Sequence, residues 1–189
     1  GRSAAARHGS LWRGDPHSTW KEQTVAEPAK YSEPGVRAPR IAGVQVKPLK
    51  LIADERGYLL EMLRADEPCF TKFGQAYISA TYPGAVKAWH YHTVQVDYFV
   101  CIAGMVKLVL YDSRTDSPTH GAINEFCLGE QHRSLVVVPN LVYHGWKCIS
   151  PEMSLVVNIP TEVYRYDNPD EYRAEPHGVL PYDWTRKDG

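Results

Sequence analysis

The sequence predicts an all-β protein, and two observations support that prediction. From Val44 onward, short runs rich in Val, Ile, Leu, Tyr and Phe are separated by turn signals such as Pro83-Gly84 and Ala103-Gly104. Such runs are typical of strands, and their close spacing favours a β-sandwich or barrel over alternating helices and strands. A chain of 189 residues without an internal repeat is expected to build one core.

The predicted strands follow one another in order along the chain. The first run, 44–52, ends before the turn signal Asp54–Gly57, and a turn-rich stretch, 113–121, divides the later runs. Only Asn168–Tyr172 has a helical appearance, since its acidic residues suit a helix N-terminus. The other predicted strands are 58–63, 74–82, 86–92, 96–102, 105–112, 123–129, 134–139, 142–149 and 153–160.

The two ends of the chain differ from this β-rich part. Residues 1–42 are polar and show no strand or helix period, so they are expected to form an extended N-terminal arm. The arm carries Trp12, Trp20 and Tyr31, and it either crosses to a sister subunit or packs on its own barrel. Residues 43–165 would then form the barrel, and residues 166–189 a C-terminal segment with a polar tail.

Composition excludes several functional classes. The chain has 21 basic and 22 acidic residues with no block of like charge, so neither nucleic acid nor a membrane surface is expected as a partner. No apolar run approaches the ~18–20 residues of a membrane span, and no secretory signal is evident, so a cytoplasmic protein is expected. Four isolated cysteines are expected to be buried thiols rather than disulfides or metal ligands: Cys69, Cys101, Cys127 and Cys148.

The strongest functional pattern is a set of three histidines and one aspartate. His90 and His92 are two residues apart in a predicted strand, so both imidazoles project from the same face. Asp97 lies on the next extended run, and His144 follows further along the chain. Three nitrogens and one carboxylate oxygen form a ligand set for a divalent transition metal, without selecting among Fe, Mn, Ni, Co and Zn.

The spacing of these residues resembles the two motifs of the cupin superfamily. Residues 84–104 read G-x5-H-x-H-x4-D-x6-G, and residues 139–144 read P-x4-H. Asp97 stands where cupins usually carry Glu, and Leu141 where the second motif usually has Gly. The resemblance implies a double-stranded β-helix, the jelly-roll cupin barrel. The alternative, that the histidines only fill a polar barrel mouth, stays open at this point.

Further motifs resemble the dTDP-4-dehydrorhamnose 3,5-epimerase family, which is itself cupin-like. Asp54–Glu61 is similar to the family pattern D-x-R-G-x-F-x-E, and residues 75–92 to Q-x-N-x-S-x-S-x-x-G-x-x-R-G-L-H-Y-Q. Residues 112–121 resemble D-L-R-x-x-S-P-T-x-G, and residues 138–146 resemble I-P-x-G-x-A-H-G-F. The match covers residues 44–165, and it implies a dTDP-sugar epimerase or isomerase that forms a homodimer.

The resemblance also implies roles for single residues. In the family, a histidine base removes the protons at C3 and C5 of a 4-keto hexose carried on thymidine diphosphate, and His90 matches that base. Lys87 stands where the family has a phosphate-binding arginine, and it would meet phosphate as a point charge rather than as a fork. Substrate contacts are therefore implied for Arg56, Glu61, Gln75 and Lys87.

Other family positions are changed in this chain. The family lysine that stabilises the enolate oxygen corresponds to Asp97, and the tyrosine that returns a proton falls near Val157 or Asn158. Losing an oxyanion-stabilising group typically costs 10²–10³ in rate, so unaltered epimerase chemistry is not expected. The aspartate that orients the base is at best Glu175. The family glutamine is His92, so the changes at His92 and Asp97 together complete the metal motif.

Three functions are compatible with these patterns. The first is a nucleotide-sugar epimerase or isomerase of carbohydrate biosynthesis in which a metal, held by the three histidines and Asp97, replaces the family lysine. The second is a metal-dependent cupin of another class, such as a non-haem iron oxygenase, a lyase or another isomerase, and the third is a non-catalytic sugar-binding cupin. If His90 binds the metal it cannot also be the base, and the sequence identifies no other base.

The remaining candidates are less specific. Tyr91, Tyr98 and Tyr143 either line the pocket or serve as ordinary strand residues. Five isolated histidines are expected to be solvated loop residues: His8, His17, His120, His132 and His177.

Overall fold

The computed structural model describes residues 39–188 and shows the all-β architecture that the sequence predicts. Within this range no helix is long and apolar enough to cross a membrane. The strands of the described part are β1 (Gln45–Pro48), β2 (Leu51–Asp54), β3 (Gly57–Leu60), β4 (Tyr77–Thr81), β5 (Val86–Tyr91), β6 (Asp97–Ala103), β7 (Met105–Asp112), β8 (Ile123–Gly129), β9 (Ser134–Val138), β10 (Val142–Cys148), β11 (Ser154–Asn158) and β12 (Tyr172–Arg173).

Ten of these strands form two antiparallel sheets of five strands each. The order in the first sheet is β1-β9-β6-β11-β4, and the order in the second sheet is β12-β5-β10-β7-β8. Strands β2 and β3 form a separate hairpin. This non-sequential order of antiparallel strands in two sheets is that of a jelly roll, which confirms the predicted cupin-type barrel.

The main hydrophobic core lies between the two sheets. Alternate residues of β7, namely Val106, Leu108 and Leu110, point into it from the second sheet and are almost fully buried. Phe99 of the first sheet packs against Trp146 of the second, with ring centroids 5.6 Å apart. Burial of each such side chain stabilises the fold by about 1.5–3 kcal/mol, and together these contacts hold the sheets face to face.

The first sheet is also covered on its outer face. Tyr98, Val100, Leu135 and Val137 form a second cluster there, beneath partly buried apolar residues from the segment 49–69. Strands buried on both faces have nearly continuous apolar sequences, which explains the unbroken runs of β6 and β9. Because the Tyr98 hydroxyl donates a hydrogen bond to the backbone carbonyl of residue 69 at 2.8 Å, Tyr98 belongs to this cluster and not to a pocket.

The C-terminal segment covers the outer face of the second sheet, and this corrects the prediction of a polar tail. Trp184 is only 1% exposed and lies against Trp89, with ring centroids 4.9 Å apart. Tyr182 contacts both rings. The tail is therefore held by an aromatic cluster that its polar composition conceals.

Two further predictions, of a helical stretch and of a single first strand, are wrong. The stretch predicted as helical forms no helix, because its backbone leads into β12, which pairs with β5. The run 44–52 is not one strand but two, since the chain leaves the first sheet after Pro48 and β2 pairs within the hairpin. The four cysteines are free, two of them buried and two half-buried.

Most of the predicted arm, including Trp12, Trp20 and Tyr31, lies outside the described residues, as do His8 and His17.

Candidate functional site

Three imidazoles meet between the sheets at one end of the barrel. His90 on β5 and His144 on β10 are paired across the two strands, and their ring centroids are 4.0 Å apart. His92 directly follows β5 and lies on the same face as His90, as the spacing of two predicts. One ring nitrogen from each of the three histidines lies within 4.8 Å of the others. The structure thus brings together the three predicted histidines.

Asp97 reaches this cluster from the opposite sheet. It is the first residue of β6, and its Oδ2 atom lies 3.3 Å from the Nε2 atoms of both His92 and His144. Its Oδ1 atom accepts hydrogen bonds from the side-chain amides of Gln95 and Asn158, each at 2.8 Å. The carboxylate is therefore fixed at one oxygen and directed at the imidazoles with the other.

Two of the histidines are oriented by backbone carbonyls. The Nδ1 atom of His144 lies 3.0 Å from the carbonyl oxygen of Val142, and the Nδ1 atom of His92 contacts the carbonyl oxygen of Asp170. Since a carbonyl oxygen only accepts hydrogen bonds, each Nδ1 carries a proton and donates it. In the neutral ring the Nε2 atom then presents a lone pair to the centre of the cluster.

The charge at the centre of the cluster is negative. Burial alone would raise the pKa of Asp97, but contacts with His144 and His92 and the Asn158 amide lower that pKa to about 2. Asp97 is only 1% exposed, and its Oδ2 atom has no hydrogen-bond partner among residues 39–188; the same holds for the Nε2 atom of His144. A buried anion that faces imidazole lone pairs is costly unless a positive charge compensates it. That charge is either a proton on a ring or a metal ion.

His90 differs from the other two histidines because it borders a cavity. Burial, together with the neighbouring His144, lowers the pKa of His90 well below the ordinary value, so its ring is neutral at physiological pH. A neutral imidazole is able to bind a metal or to accept a proton. The cavity measures about 450 Å³ and is lined by Tyr77, Ser79, Val86, Lys87, Ala88, Trp89, His90, Trp146, Glu171 and Arg173.

The predicted substrate-binding residues are only partly brought together. Lys87 lines the cavity, and its Nζ atom donates to Ser79 Oγ at 2.8 Å and to the carbonyl oxygen of residue 80 at 2.6 Å. Gln75 is half-buried in the segment before β4 and is not among the cavity residues. Arg56 and Glu61 belong to the hairpin and its exit; Arg56 is bound to Asp54 and exposed.

Sequence reasoning missed two charged residues that line the cavity. Arg173 on β12 pairs in register with His90, so its side chain lies on the same face of the sheet. Glu171, two residues earlier, shares that face, and its carboxylate accepts a hydrogen bond from Arg173 at 2.8 Å. A two-residue strand that pairs with β5 from about eighty residues away leaves no periodic signal in the sequence.

A tyrosine also faces the cavity, although not where the family pattern places it. Asn158, one of the two positions assigned to the family tyrosine, pairs in register with Tyr77 on the neighbouring strand β4. The Asn158 amide donates to the Tyr77 hydroxyl at 3.0 Å, and Tyr77 lines the cavity. A phenol is thus present beside the position where the sequence indicated its loss.

The C-terminal segment fastens the loop that carries His92. The carboxylate of Asp170 accepts hydrogen bonds from the backbone N–H groups of Thr93, Val94 and Gln95 and from the Thr93 hydroxyl, at 2.6–3.1 Å. These bonds lower the pKa of Asp170 to about 2 despite its partial burial. The same residue offers its carbonyl to His92, so it holds both the loop and the ring.

Leu141 occupies the glycine position of the second cupin motif and keeps the backbone shape of a glycine. Its φ is 62°, in the left-handed region that favours glycine. Its N–H donates to the carbonyl oxygen of His92 at 2.7 Å, which connects the loop before β10 to the histidine pair. Tyr91 and Tyr143 lie near Leu141 in a shallow depression of about 280 Å³, separate from the cavity at His90.

Comparison with known proteins points to one family. A sequence profile described as dTDP-4-dehydrorhamnose 3,5-epimerase matches residues 38–180. A probable low-salt glycan biosynthesis epimerase of Haloferax volcanii is 42% identical over 147 residues, which is 77% of this chain and 90% of the relative. The spore coat polysaccharide biosynthesis protein SpsL of Bacillus subtilis is 39% identical over 133 residues, 70% of this chain and 88% of the relative.

A solved structure agrees with these sequence relatives. The crystal structure of a dTDP sugar isomerase from Desulfovibrio desulfuricans G20 superimposes with a TM-score of 0.74 at 33% sequence identity. The superposition covers 78% of this chain and 94% of that one. The similarity therefore extends over nearly the whole described barrel.

Proposed function

The chain belongs to the dTDP-4-dehydrorhamnose 3,5-epimerase family, and we propose that it is a nucleotide-sugar epimerase whose site holds one divalent transition metal. The family profile and the relatives named as sugar epimerases support the reaction class. The residues around Asp97 support the metal. The substrate class proposed is a keto sugar carried on a nucleoside diphosphate, with the sugar in the cavity beside His90.

One observation carries the metal proposal: a buried carboxylate oxygen faces two imidazole nitrogens at distances suited to a shared ion. Two ligand atoms held roughly 2.1 Å from a tetrahedral metal lie roughly 3.4 Å apart. Oδ2 of Asp97 lies 3.3 Å from Nε2 of His92 and 3.3 Å from Nε2 of His144. The backbone carbonyls that fix their Nδ1 protons are the outer partners that metal-binding histidines usually have.

The proposed ligands are His90, His92, Asp97 and His144. A bound divalent ion is a Lewis acid, and it would supply stabilisation for the negative charge that develops on the carbonyl oxygen when a neighbouring carbon loses its proton. A cation at this position would take the place of the family lysine, which Asp97 replaces. The set of three imidazoles and a carboxylate does not choose among Fe, Mn, Ni, Co and Zn.

The chain's own residues support binding of the substrate. Lys87 projects a positive charge at the cavity, where it suits a phosphate group. Trp146 lines the same cavity beside His90, with the two ring centroids 6.2 Å apart. Together these groups suit the sugar and phosphate parts of a nucleotide sugar.

The homodimer is also part of this proposal. Exposed apolar side chains lie on the hairpin, at Ile52, Tyr58 and Leu59, and on the edge strand β4 at Ile78, which is 60% exposed. An isolated two-stranded hairpin is marginally stable by itself, and exposed apolar surface of this kind favours association. Light scattering of the purified chain is expected to give twice the chain mass of 21.3 kDa, and a stable monomer would contradict the dimer.

A different histidine role is favoured by one feature of the site. His90 lines the cavity with a neutral ring, so in a metal-free site it would serve as the base. Element analysis decides between the two. We expect about one equivalent of a transition metal per chain in protein purified without a histidine tag.

The same preparation tests the substrate class. Calorimetric titration with thymidine diphosphate is expected to show binding in the millimolar range or tighter, and weaker binding to a Lys87→Ala variant.

Well under one equivalent of metal in an active protein would overturn the metal centre. A metal-loaded protein that fails to bind thymidine diphosphate would instead favour a metal-dependent cupin of another class, and a protein without metal or turnover would favour a sugar-binding cupin.

A further inference from the structure

Two groups that line the cavity are able to move protons without binding the metal, one beside the second sheet and one at the edge of the first. We infer that Glu171 is the base that removes the proton next to the substrate carbonyl, and that Tyr77 is the acid that returns a proton from the other side. This inference rests on the proposed function, because it is the commitment of His90 to the metal that leaves the base unassigned.

The position of Glu171 suits a base. It precedes β12, lies on the face of the second sheet that carries His90 and His92, and lines the cavity. Its side chain is 17% exposed, so it is partly shielded from water and still reachable from the cavity. Arg173 donates a hydrogen bond to its Oε1 atom at 2.8 Å, which fixes the carboxylate beside the cavity.

The hydrogen bonds of Tyr77 suit an acid. Asn158 is fixed by three bonds: its Oδ1 atom accepts from the backbone N–H of Tyr98 at 3.1 Å, and its amide donates to Asp97 and to the Tyr77 hydroxyl. Because the Tyr77 oxygen accepts that bond, its own hydrogen stays available for a molecule in the cavity. Partial burial, with the carboxylates of Asp97 and Glu171 nearby, raises the pKa of Tyr77 to about 12, so the phenol keeps its proton at neutral pH.

The placement of the two groups matches the stereochemistry of epimerisation. Glu171 belongs to the wall formed by the second sheet, and Tyr77 belongs to β4 at the edge of the first sheet. Inversion at a carbon requires that a proton leave from one face of the sugar ring and that another arrive at the opposite face. A base and an acid on opposite walls of one cavity provide this arrangement without a large movement of the substrate.

The proposed step is balanced. The Glu171 carboxylate accepts the proton of the carbon next to the carbonyl, and the electron pair of that C–H bond moves to the carbonyl oxygen to form an enolate. The Tyr77 hydroxyl then gives its proton to the same carbon from the opposite face, and the carbonyl is restored. Glu171 releases its proton to solvent, and the Tyr77 phenolate takes one back, so no oxidant or reductant is consumed.

Exchange of substrate protons with heavy water tests both roles separately. The probe is dTDP-4-dehydrorhamnose, and proton NMR in D2O follows both loss of the signals next to the carbonyl and formation of the epimer. Glu171→Gln is expected to slow both by roughly 10²–10⁴-fold, as loss of a general base does. Tyr77→Phe is expected to slow epimer formation by roughly 10²-fold or more, while exchange with retained configuration continues within about tenfold of the wild-type rate.

Control variants and metal analysis make the result decisive. Glu152→Gln and Tyr82→Phe change exposed residues of the same types outside the cavity and are expected to leave both rates unchanged. The Glu171→Gln protein is expected to keep its metal and its affinity for thymidine diphosphate, and Glu171→Asp to recover part of the exchange. Wild-type exchange by Glu171→Gln would overturn the base, and equal loss of exchange and inversion in Tyr77→Phe would overturn the acid.

The failure of this inference is distinguishable from failure of the proposed function. An active wild-type enzyme that contains no metal would overturn the metal centre, whatever the variants do. A metal-containing wild-type enzyme that exchanges protons normally after Glu171→Gln would leave the proposed function in place and refute only the assignment of the base.

Discussion

The Oδ2 atom of Asp97 lies 3.3 Å from the Nε2 atom of His144, across the gap between the two sheets, and neither atom has a hydrogen-bond partner within residues 39–188. This pair joins β6 of the first sheet to β10 of the second. The charge on Asp97 therefore affects the stability of the fold as well as the chemistry of the site.

Removal of the metal is expected to destabilise the protein. A ligand that binds only the folded state adds about 2.7 kcal/mol when its free concentration is 100 times its Kd. Thermal unfolding should therefore shift to lower temperature after dialysis against a chelator and return when the metal is restored. Asp97→Asn should abolish this response to metal. An identical midpoint for chelated and reloaded wild-type protein would count against the site.

The substitution His92→Gln separates the two roles open to the histidines, because it restores the residue that the family carries after His-Tyr. In a metal centre it removes one of four ligands, so metal occupancy and activity should fall together by at least the ~10–100-fold typical of outer-shell changes. The all-β circular dichroism spectrum should not change. Normal turnover by this variant in the presence of a chelator would show that His90 acts as a free base.

Asp170 is expected to act on the site through His92. Asp170→Ala removes four hydrogen bonds to the loop 93–95, and should lower the free energy of unfolding by roughly 1.5–3 kcal/mol or more. Metal affinity should fall by roughly 10–100-fold, because the loop that orients His92 is released. Urea unfolding and metal titration measure the two effects. Asp167→Ala, at an exposed site in the same segment, should change neither.

Leu141 gives a prediction about backbone strain. A residue with a side chain costs roughly 1–2 kcal/mol in the left-handed region, whereas glycine enters it freely but loses more entropy on folding. Leu141→Gly should therefore keep the stability within about 1 kcal/mol of the wild type or raise it. Leu141→Val should be less stable than both the wild type and the glycine variant, because a side chain branched at Cβ is least compatible with the left-handed conformation. Chemical unfolding of both variants compares them, and a more stable valine variant would contradict the argument.

The sequence predicts this fold well because its main signals are local. Runs such as β6 and β9 are buried on both faces and stand out by composition, and the spacing of His90 and His92 determines their common face. Leu141 keeps the left-handed backbone conformation expected of the cupin glycine. At this position the motif therefore constrains the backbone conformation more strongly than the type of residue.

Other features depend on contacts between distant parts of the chain. Trp184 belongs to a segment with a polar sequence and is buried only because the outer face of β5 and β7 presents Trp89 and Val109 to it. Glu171 reaches the cavity through the pairing of β12 with β5, and Tyr77 is placed beside Asn158 by the register of β4 and β11. Neither pairing has a turn or a periodic pattern that would reveal it in one sequence.

Asp112 gives the last prediction, a pH dependence that arises away from the site. Burial opposes its ionisation, but hydrogen bonds from Arg114, Ser117 and Thr119 outweigh burial and hold the pKa of Asp112 well below the ordinary value. As the pH falls, Asp112 therefore binds a proton more readily in the unfolded chain than in the folded chain. The resulting stability is present in full above the unfolded pKa of about 3.9 and is lost as the pH falls below it.

Replacement of the Asp112 carboxylate should reveal this contribution. Asp112→Asn should lower the free energy of unfolding at pH 7 by roughly 1.5–3 kcal/mol, since it removes hydrogen bonds to a charged group. It should also reduce the loss of stability between pH 5 and pH 2 relative to the wild type, because the titrating group is gone. Urea unfolding across this range measures both effects, with the exposed Asp116→Asn as the matched control. If the asparagine variant loses as much stability in acid as the wild type, the acid sensitivity must come from other carboxylates.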